Sequence, residues 1–300
     1  MAVAWFGAAA AALLIAGLAL LRGWGRPARP AWHWTLAAPF CAAHRGGSAL
    51  QPENTLAAFE AAATAYGCSF LELDVHATAD GIPVVIHDPT VDRTTGGTGA
   101  VRELTLAELR ALDAAQRFVP EAGPGPAKRP CPIPTLEEVL TRLPGCWFSI
   151  DIKQDHPPCE RAVVDAIRRA GATGRVLVGS DDQRRFRRLQ AAGPELASFF
   201  TQRSAAVFLF AHWLGVTPWY RPPHHTLQVP ERLGPLRIVT PRFIRAAHGL
   251  GIPVIVWTVN EAADMRRLLD LGVDGLITDR PDVFNCVVRE RMATGRNLRS

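Results

Sequence analysis

The sequence predicts an α/β protein, a closed TIM-type (β/α)8 barrel preceded by an N-terminal transmembrane helix. Short apolar runs alternate with helical patterns over roughly 240 residues, a length that suits one such barrel. Reactive side chains recur at the ends of these runs, and the first residues of the chain are apolar. The 300 residues are 48% hydrophobic and 20% charged, which excludes a disordered protein. A net charge of +5 without a basic, aromatic-rich helix excludes a nucleic-acid partner, and no pattern indicates a protein partner.

Residues 1–21 are predicted to form a transmembrane signal anchor. They carry no charged side chain, and a helix of this length spans ~30 Å, about one hydrocarbon core. A cleaved signal peptide is the alternative, but it would carry Lys or Arg before its apolar run. Residues 22–39 then form a juxtamembrane linker with Arg22 and Trp24 among its headgroup-compatible residues. We expect a membrane location, with the endoplasmic reticulum as a candidate, and a cytosolic catalytic domain because the arginines follow the span.

Residues 40–285 are predicted to form the barrel, and residues 286–300 a C-terminal tail. The helices between strands carry recognisable boundaries, such as the capping-box spacings Thr105 to Glu108 and Thr135 to Glu138. An amphipathic helix is expected over Glu261–Leu271 with Gly272 as its stop. The predicted strands are Phe40–His44, Phe70–Val75, Val84–His87, Trp147–Lys153, Val176–Gly179, Ala197–Phe200, Val254–Val259 and Leu276–Thr278.

A second apolar stretch, Ala205–Tyr220, lies in the middle of this domain. It is short for a membrane span, and a crossing there would separate the two halves of the barrel. We interpret it as an amphipathic lid or interfacial segment that contacts lipid. An ordinary buried helix is the alternative.

Three carboxylates are the first candidates for chemistry. Glu72 and Asp74 are two residues apart on one strand, so both point to the same face, and Asp151 repeats the pattern on another strand. Like charges that meet in a partly desolvated barrel need a compensating cation or a shifted proton. Oxygen ligands without a histidine or cysteine pair at metal-ligand spacing indicate Mg²⁺ or Ca²⁺ rather than zinc. The six cysteines are scattered and contain no CxxC pair, which excludes a zinc or redox motif of that type.

Two histidines flank this acidic group. His44 and His87 each end an apolar strand, at the end of the barrel that holds the chemistry in TIM-type enzymes. Because histidine titrates near neutral pH, such a pair can accept and donate a proton in turn. Arg45 and Lys153 add positive charge suited to a phosphate, although simple pairing with the carboxylates would also explain them.

In order along the chain, these motifs resemble the glycerophosphodiester phosphodiesterase family. The resemblance rests on His44-Arg45-Gly46-Gly47, Pro52-Glu53-Asn54-Thr55, Glu72-Leu73-Asp74-Val75 and His87-Asp88, then on Trp257-Thr258-Val259-Asn260 and Thr278-Asp279-Arg280-Pro281. It covers Phe40 to Phe284. The leading apolar segment and the one in mid-chain are similar to the membrane-bound, lysophospholipase D-like branch of the family.

The resemblance implies a role for each motif residue. His44 and His87 would be the general acid and base; Glu72, Asp74 and Asp151 would hold Mg²⁺ or Ca²⁺; Arg45 and Lys153 would hold the phosphate. Glu53 and Asn54 would support the first loop, and Trp257 would line the substrate groove unless it is a core residue. The family more often carries Glu at the position of Asp151, so the choice of ion stays open.

The expected function is metal-dependent hydrolysis of a glycerophosphodiester, most of all of a lysophospholipid, with release of choline or ethanolamine. The substrate and membrane lipid are the expected partners. A phosphoinositide-type phospholipase C, which cleaves the other phosphoester bond, is the enzymatic alternative. A catalytically inactive, membrane-anchored binding protein is the alternative of another class.

Overall fold

The computed structural model describes residues 36–121 and 130–294. The strands are β1 Phe40–Ala43, β2 Phe70–Ala77, β3 Pro83–Val85, β4 Trp147–Ile152, β5 Val176–Gly179, β6 Leu227–Pro230, β7 Arg232–Leu233, β8 Leu236–Arg237, β9 Val254–Trp257 and β10 Gly275–Thr278. The helices are α1 Leu56–Thr64, α2 Leu106–Arg110, α3 Leu136–Arg142, α4 Glu160–Arg169, α5 Gln183–Ala192, α6 Gln202–Trp213, α7 Pro241–His248, α8 Ala262–Leu271 and α9 Pro281–Ala293.

The main sheet is parallel and curls into a barrel. Seven strands pair in the order β5-β4-β2-β1-β10-β9-β6. Two single parallel bridges, Leu177 to Ala197 and Phe199 to Thr226, place the extended segment 197–200 between β5 and β6. This segment brings the ring to eight members, so the described residues confirm the TIM-type barrel.

The prediction for Val84–His87 needs a correction. This segment forms a strand, but the strand does not belong to the parallel barrel. β3 pairs antiparallel with β2, and the reversal takes only the five residues from Thr78 to Ile82, with Gly81 at a φ of 78°. A parallel return would need a crossover of about a dozen residues or more. β3 therefore begins an excursion from the barrel, and the eighth barrel position is filled by β6, which the apolar pattern did not predict because Gln228 and Pro230 interrupt it.

Alternation along the strands separates two apolar layers. Side chains on one face of the strands pack against the surrounding helices. Those on the other face fill the barrel interior, where the cluster comprises Phe40, Ala42, Phe70, Leu177, Ala197, Phe199, Ile255 and Ile277. Leu36 and Trp147 pack against this interior cluster, which places residue 36 at the amino ends of the strands.

Local signals set the helix boundaries as predicted. Thr105 and Thr135 each form a complete capping box, accepting from the backbone N–H of the glutamate three residues on. Helix α8 ends at Gly272, which has a φ of 88°. The last helix, α9, runs across the predicted start of a tail at residue 286, and Val287 is buried. The folded region therefore extends to Ala293.

The predicted membrane anchor, residues 1–21, and residues 22–35 of the predicted linker lie outside the described residues. Within residues 36–121 and 130–294, every helix is too short or too polar to span a membrane. The stretch Ala205–Tyr220 contains most of helix α6. Its inner face is buried through Phe208 and Ala211, whereas Phe210 and Trp213 are exposed, so it has both the buried and the exposed character that the two interpretations proposed.

Candidate active site

A tight turn after β1 presents His44 at the carboxyl end of the barrel. His44–Gly46 form one 3-10 turn in which Arg45 has a φ of 51° and Gly46 a φ of 86°. A Cβ atom on Gly46 would lie 2.6 Å from the Cβ atom of Ala58, so this position requires glycine. The turn also directs the backbone N–H of Arg45 to Glu72 Oε2, at 3.1 Å. The glycines after His44 thus serve the geometry of this turn.

Asp279 holds the ring of His44. Its Oδ1 lies 2.6 Å from His44 Nδ1 and also accepts a hydrogen bond from Ser48, and its Oδ2 accepts one from Asn260 Nδ2 at 2.8 Å. These contacts outweigh burial and bring the pKa of Asp279 to about 2. Burial lowers the pKa of His44, but the Asp279 hydrogen bond and the charge of Glu72 raise it above its ordinary value. With Nδ1 engaged, His44 Nε2 faces the carboxylates, 3.9 Å from Glu72 Oε2.

His87 has an equivalent partner. Its Nδ1 lies 2.7 Å from Asp88 Oδ1. Arg93 then bridges two acidic residues: its Nε donates to Asp88 at 2.6 Å, and its two terminal nitrogens each donate to Glu53 at 2.7 Å. Burial alone would raise the pKa of Asp88, but the hydrogen bonds from Arg93 and His87 lower it to about 2. Arg93 therefore ties the His87 pair to the loop that follows His44.

Asp74 is the most heavily paired carboxylate of the site. It is buried, and it accepts a hydrogen bond from Asn54 Nδ2 at 3.0 Å. Arg45 Nε lies 3.2 Å from its Oδ2, and Lys153 Nζ lies 3.1 Å from its Oδ1. Burial raises the pKa of Asp74, but the charges of Lys153 and Arg45 more than offset this effect. The pKa of Asp74 is therefore below its ordinary value, and the group stays ionised. Arg45 also donates to Glu53 at 3.1 Å, which joins the two predicted supporting residues to this cluster.

Glu72 and Asp151 carry the excess negative charge. Asp151 lies directly beside Asp74 in the β2–β4 register, and Glu72 lies two residues earlier on the same face. Burial first and the charge of Asp74 second raise the pKa of Glu72 to about 7. Burial also raises the pKa of Asp151 in spite of Lys153, whose Nζ lies 2.6 Å from Asp151 Oδ2. The barrel thus collects more carboxylates than its cations balance.

The donor set fits a hard divalent cation. Within the described ranges no three acidic, histidine or cysteine side chains are grouped closely enough to hold a metal ion. The ammonium group of Lys153 lies close to both Asp74 and Asp151. Asp151 Oδ1 is nevertheless buried without a hydrogen-bond partner, and the raised pKa of Glu72 marks a need for added positive charge. Carboxylate oxygens in such a state match the ligands of Mg²⁺ and Ca²⁺.

Trp257 lies at the rim of the site and not in the core. It ends β9, next to Pro230 of β6, and its side chain is 44% exposed. The hairpin of β7 and β8 follows Pro230 and exposes Leu233 and Leu236 at the same rim. The interpretation of Trp257 as a core residue is therefore wrong.

The structure brings the predicted site residues to one end of the barrel. No role was predicted from the sequence for the partners of the two histidines, Asp279 and Asp88, although both lie in the motifs that carry the family resemblance, or for the bridging Arg93. A signal existed for two of them, because Asp279 directly follows the strand β10 and Asp88 directly follows His87. Arg93 carries no comparable local signal, since its role depends on Glu53, forty residues earlier.

Comparison with known proteins gives a consistent result. The model of the glycerophosphoryl diester phosphodiesterase family matches residues 44–283. A probable glycerophosphodiester phosphodiesterase 2 of Mycobacterium tuberculosis is 36% identical over 83% of this chain and 90% of its own length. A glycerophosphodiester phosphodiesterase of Caldanaerobacter subterraneus is 34% identical over 83% of this chain and 97% of its own. Mouse lysophospholipase D GDPD1 is 27% identical over 79% of this chain and 82% of its own.

Solved structures agree on the fold. The glycerophosphodiester phosphodiesterase of Agrobacterium tumefaciens superposes with a TM-score of 0.67 at 27% identity, covering 83% of this chain and 99% of that one. A glycerophosphoryl diester phosphodiesterase domain from Mycobacterium tuberculosis superposes with a TM-score of 0.71 at 23% identity, covering 84% of this chain and 99% of that one.

Proposed function

This chain belongs to the glycerophosphoryl diester phosphodiesterase family and is a phosphoric diester hydrolase, and on that premise we propose that it hydrolyses glycerophosphodiesters at the carboxyl end of its barrel. One observation carries the proposal. Two histidines, each held at Nδ1 by a carboxylate, flank a buried acidic cluster that also contains two cationic side chains. This set suits a phosphodiester monoanion that gains charge during displacement.

The two histidines divide the proton transfers. Because Asp279 and Asp88 occupy the Nδ1 atoms, the Nε2 atoms of His44 and His87 are left for exchange with substrate. One ring takes the proton of the attacking hydroxyl, which belongs to water or to a free hydroxyl group of the substrate glycerol. The other ring protonates the departing alcohol. An internal attack gives a cyclic phosphate, which water opens with the two roles reversed.

The charged residues position the phosphate. Arg45 and Lys153 offer donors to the anionic oxygens, and both are half-buried, which strengthens such contacts. Glu72, Asp74 and Asp151 would hold Mg²⁺ or Ca²⁺, which when bound supplies charge neutralisation for the phosphodiester. Glu53 and Asn54 position the first loop by contacting Arg45 and Asp74.

A lysophospholipid is the second candidate substrate. It is supported by the exposed Trp257 beside the exposed Leu233 and Leu236, which offer an apolar rim next to the site. The mouse relative named as a lysophospholipase D adds support at lower identity. In this form of the proposal the enzyme releases choline or ethanolamine and leaves lysophosphatidic acid. The membrane location, with residues 1–21 as the anchor and the catalytic domain in the cytosol, is likewise proposed from composition.

Choline release tests the proposal. The purified full-length protein is incubated with glycerophosphocholine and, separately, with lysophosphatidylcholine, in Mg²⁺, in Ca²⁺ and in EDTA. We expect metal-dependent choline release that is lost in His44→Ala. His248→Ala is the matched control, because His248 also pairs with a carboxylate, Asp274, but at the opposite end of the barrel.

The products separate the alternatives. Release of phosphocholine instead of choline would overturn the bond assignment and favour a phospholipase C. Equal turnover by His44→Ala and wild type would overturn the assigned site. The ratio of the two rates shows whether the soluble diester or the lysophospholipid is preferred.

A further inference from the structure

A third histidine lies beside the two that the proposed function uses. His76 stands two residues after Asp74 on β2 and is buried. Because side chains alternate along a strand, His76 shares the face of Glu72 and Asp74. Leu73 and Val75, on the opposite face, pack with the helices. The ring of His76 therefore lies at the same end of the barrel as the acidic cluster.

His76 holds the main chain of His87. Its Nε2 lies 3.1 Å from the carbonyl oxygen of His87. A carbonyl oxygen can only accept a hydrogen bond, so His76 is the donor and its Nε2 carries a proton. His87 lies two positions after Val85, the last residue of β3, where the pairing of β3 with β2 ends. The hydrogen bond thus ties His87 to β2 just beyond the end of the paired strands.

Gln154 connects His76 to another part of the site. It is buried, and its Oε1 accepts a hydrogen bond from the backbone N–H of Ala77 at 3.1 Å. Its side chain also forms a hydrogen bond with the ring of His76. Gln154 directly follows Lys153, which contacts the acidic cluster. The ring of His76 therefore links the main chain of His87 to the segment that follows β4.

Two separate sets of contacts fix His87. Asp88, which is held by Arg93, orients the imidazole ring through Nδ1. His76 instead holds the carbonyl group, and thereby the position of the main chain relative to β2. The first set controls the rotation of the ring, and the second controls its distance from the acidic cluster on β2. Proton transfer needs both, because a group displaced by about 1 Å can lose about 100-fold in rate.

We propose that His76 is a positioning residue for His87. Its hydrogen bond holds the main chain of His87 at the distance from β2 at which the ring can exchange a proton with substrate. This inference rests on the proposed function, which makes His87 one of the two proton-transfer groups. His76 acts through His87 and not on the substrate. Removing its donor should therefore let the ring of His87 move while Asp88 still contacts Nδ1.

Turnover of glycerophosphocholine by His76 variants is the first test. His76→Leu removes the donor, and we expect kcat to fall about tenfold, equivalent to ~1.4 kcal/mol, with KM changed by less than about twofold. His76→Gln offers a side-chain N–H to the carbonyl oxygen of His87. It should recover kcat to within about threefold of wild type, because the hydrogen bond is retained.

His224→Leu is the matched control. His224 is also buried, and its Nε2 lies 2.8 Å from Ser204 Oγ. Its ring packs on Phe200, with centroids 4.8 Å apart, on the helix side of the barrel wall. This variant should have a lower Tm than wild type and the wild-type kcat. If His76→Leu is unfolded at the assay temperature, His76→Met, whose flexible side chain fills irregular space, repeats the measurements.

The NMR signals of the His87 ring give a readout that does not require turnover. Protein labelled with 15N-histidine is compared with His87→Ala, which assigns these signals. We expect them to broaden or split in His76→Leu, because the ring exchanges between positions on the microsecond-to-millisecond timescale. They should stay single in wild type, in His76→Gln and in His224→Leu.

The outcomes separate this inference from the proposed function. Unchanged His87 signals or an unchanged kcat in His76→Leu would overturn the positioning role. Equal losses of kcat in His76→Leu and His76→Gln would also overturn it, since the donor would then not matter. A wild-type protein that does not hydrolyse glycerophosphocholine would overturn the proposed function instead. In that case the His87 signals still decide whether His76 holds His87.

Discussion

Replacing Asp279 with asparagine should separate orientation of His44 from the rest of the site. The carboxylate accepts hydrogen bonds from His44, Ser48 and Asn260. An amide can accept at only one of its two ends. The new NH₂ group must therefore face Asn260, which also donates, or face His44 and Ser48, so at least one donor loses its acceptor.

The structure sets the size of the effect. Loss of a hydrogen bond to a charged group costs about 1.5–3 kcal/mol, which corresponds to a fall in kcat/KM of about 10- to 100-fold if the bond acts in the transition state. The pKa of Asp279 falls from 3.8 to about 2 on folding, so the ionised group contributes about 2 kcal/mol to the free energy of unfolding at neutral pH.

The contributions of Asp279 and His44 to the free energy of unfolding depend on pH in opposite directions. The pKa of Asp279 is lowered on folding, so its contribution is present above 3.8 and is lost as the pH falls through about 2. The pKa of His44 is raised from 6.5, so its contribution is present below 6.5 and is lost as the pH rises through the higher folded value. The variant should therefore lose most stability at mildly acidic pH. The limb of its kcat/KM profile that reports His44 should move to lower pH.

Choline release as a function of pH, together with urea unfolding, gives both readouts. Asp274→Asn is the matched control, since Asp274 Oδ2 lies 2.7 Å from His248 Nε2 at the opposite end of the barrel. It should lose stability with wild-type kcat. If Asp279→Asn keeps the wild-type kcat/KM and pH profile while it loses stability, Asp279 is only a structural residue and the reasoning is refuted.

Three further predictions concern the rest of the site. Glu72→Gln should lose most activity and its response to Mg²⁺ or Ca²⁺. Because the pKa of Glu72 rises from 4.5 to about 7 on folding, its ionisation destabilises the metal-free wild type as the pH rises through that interval. Urea unfolding above pH 7 should thus find the variant about 3 kcal/mol more stable, and an unchanged metal response would contradict the ligand assignment. Arg93→Gln should lower kcat about 10- to 100-fold because Asp88 and Glu53 lose their hydrogen bonds to Arg93. Arg93→Lys should restore little of this activity, since an ammonium group cannot form the two parallel hydrogen bonds that the guanidinium group makes to Glu53. Arg142→Gln, which breaks an exposed ion pair with Glu60, is its control, and equal kcat values for the two variants would refute a positioning role for Arg93. Chelation by EDTA should abolish turnover, and added Mg²⁺ or Ca²⁺ should restore it and raise the Tm; full activity in EDTA would refute the metal proposal.

The local sequence pattern predicted most of the barrel because most of its strands can be recognised from a few consecutive residues. Strands such as Phe70–Val75 are buried on both faces, and N-capping residues such as Thr135 fix where the intervening helices begin. The pattern failed at Val84–His87, since an apolar run does not reveal the direction of its neighbour. It also failed at Leu227–Pro230, where a polar residue and a proline mask a strand that the closing ring requires.

The sequence by itself determined which side chains could carry chemistry. The two-residue spacing of Glu72 and Asp74 places both on one face of their strand. The positions of the histidines at the ends of predicted strands place them at one end of the predicted barrel. Only the tertiary structure decided their partners. His44 meets Asp279, 235 positions away, because β1 and β10 pair as the ring closes; Arg93 reaches Glu53 because the β3 excursion folds back over the first loop. Such contacts depend on register between distant strands, which no local pattern encodes.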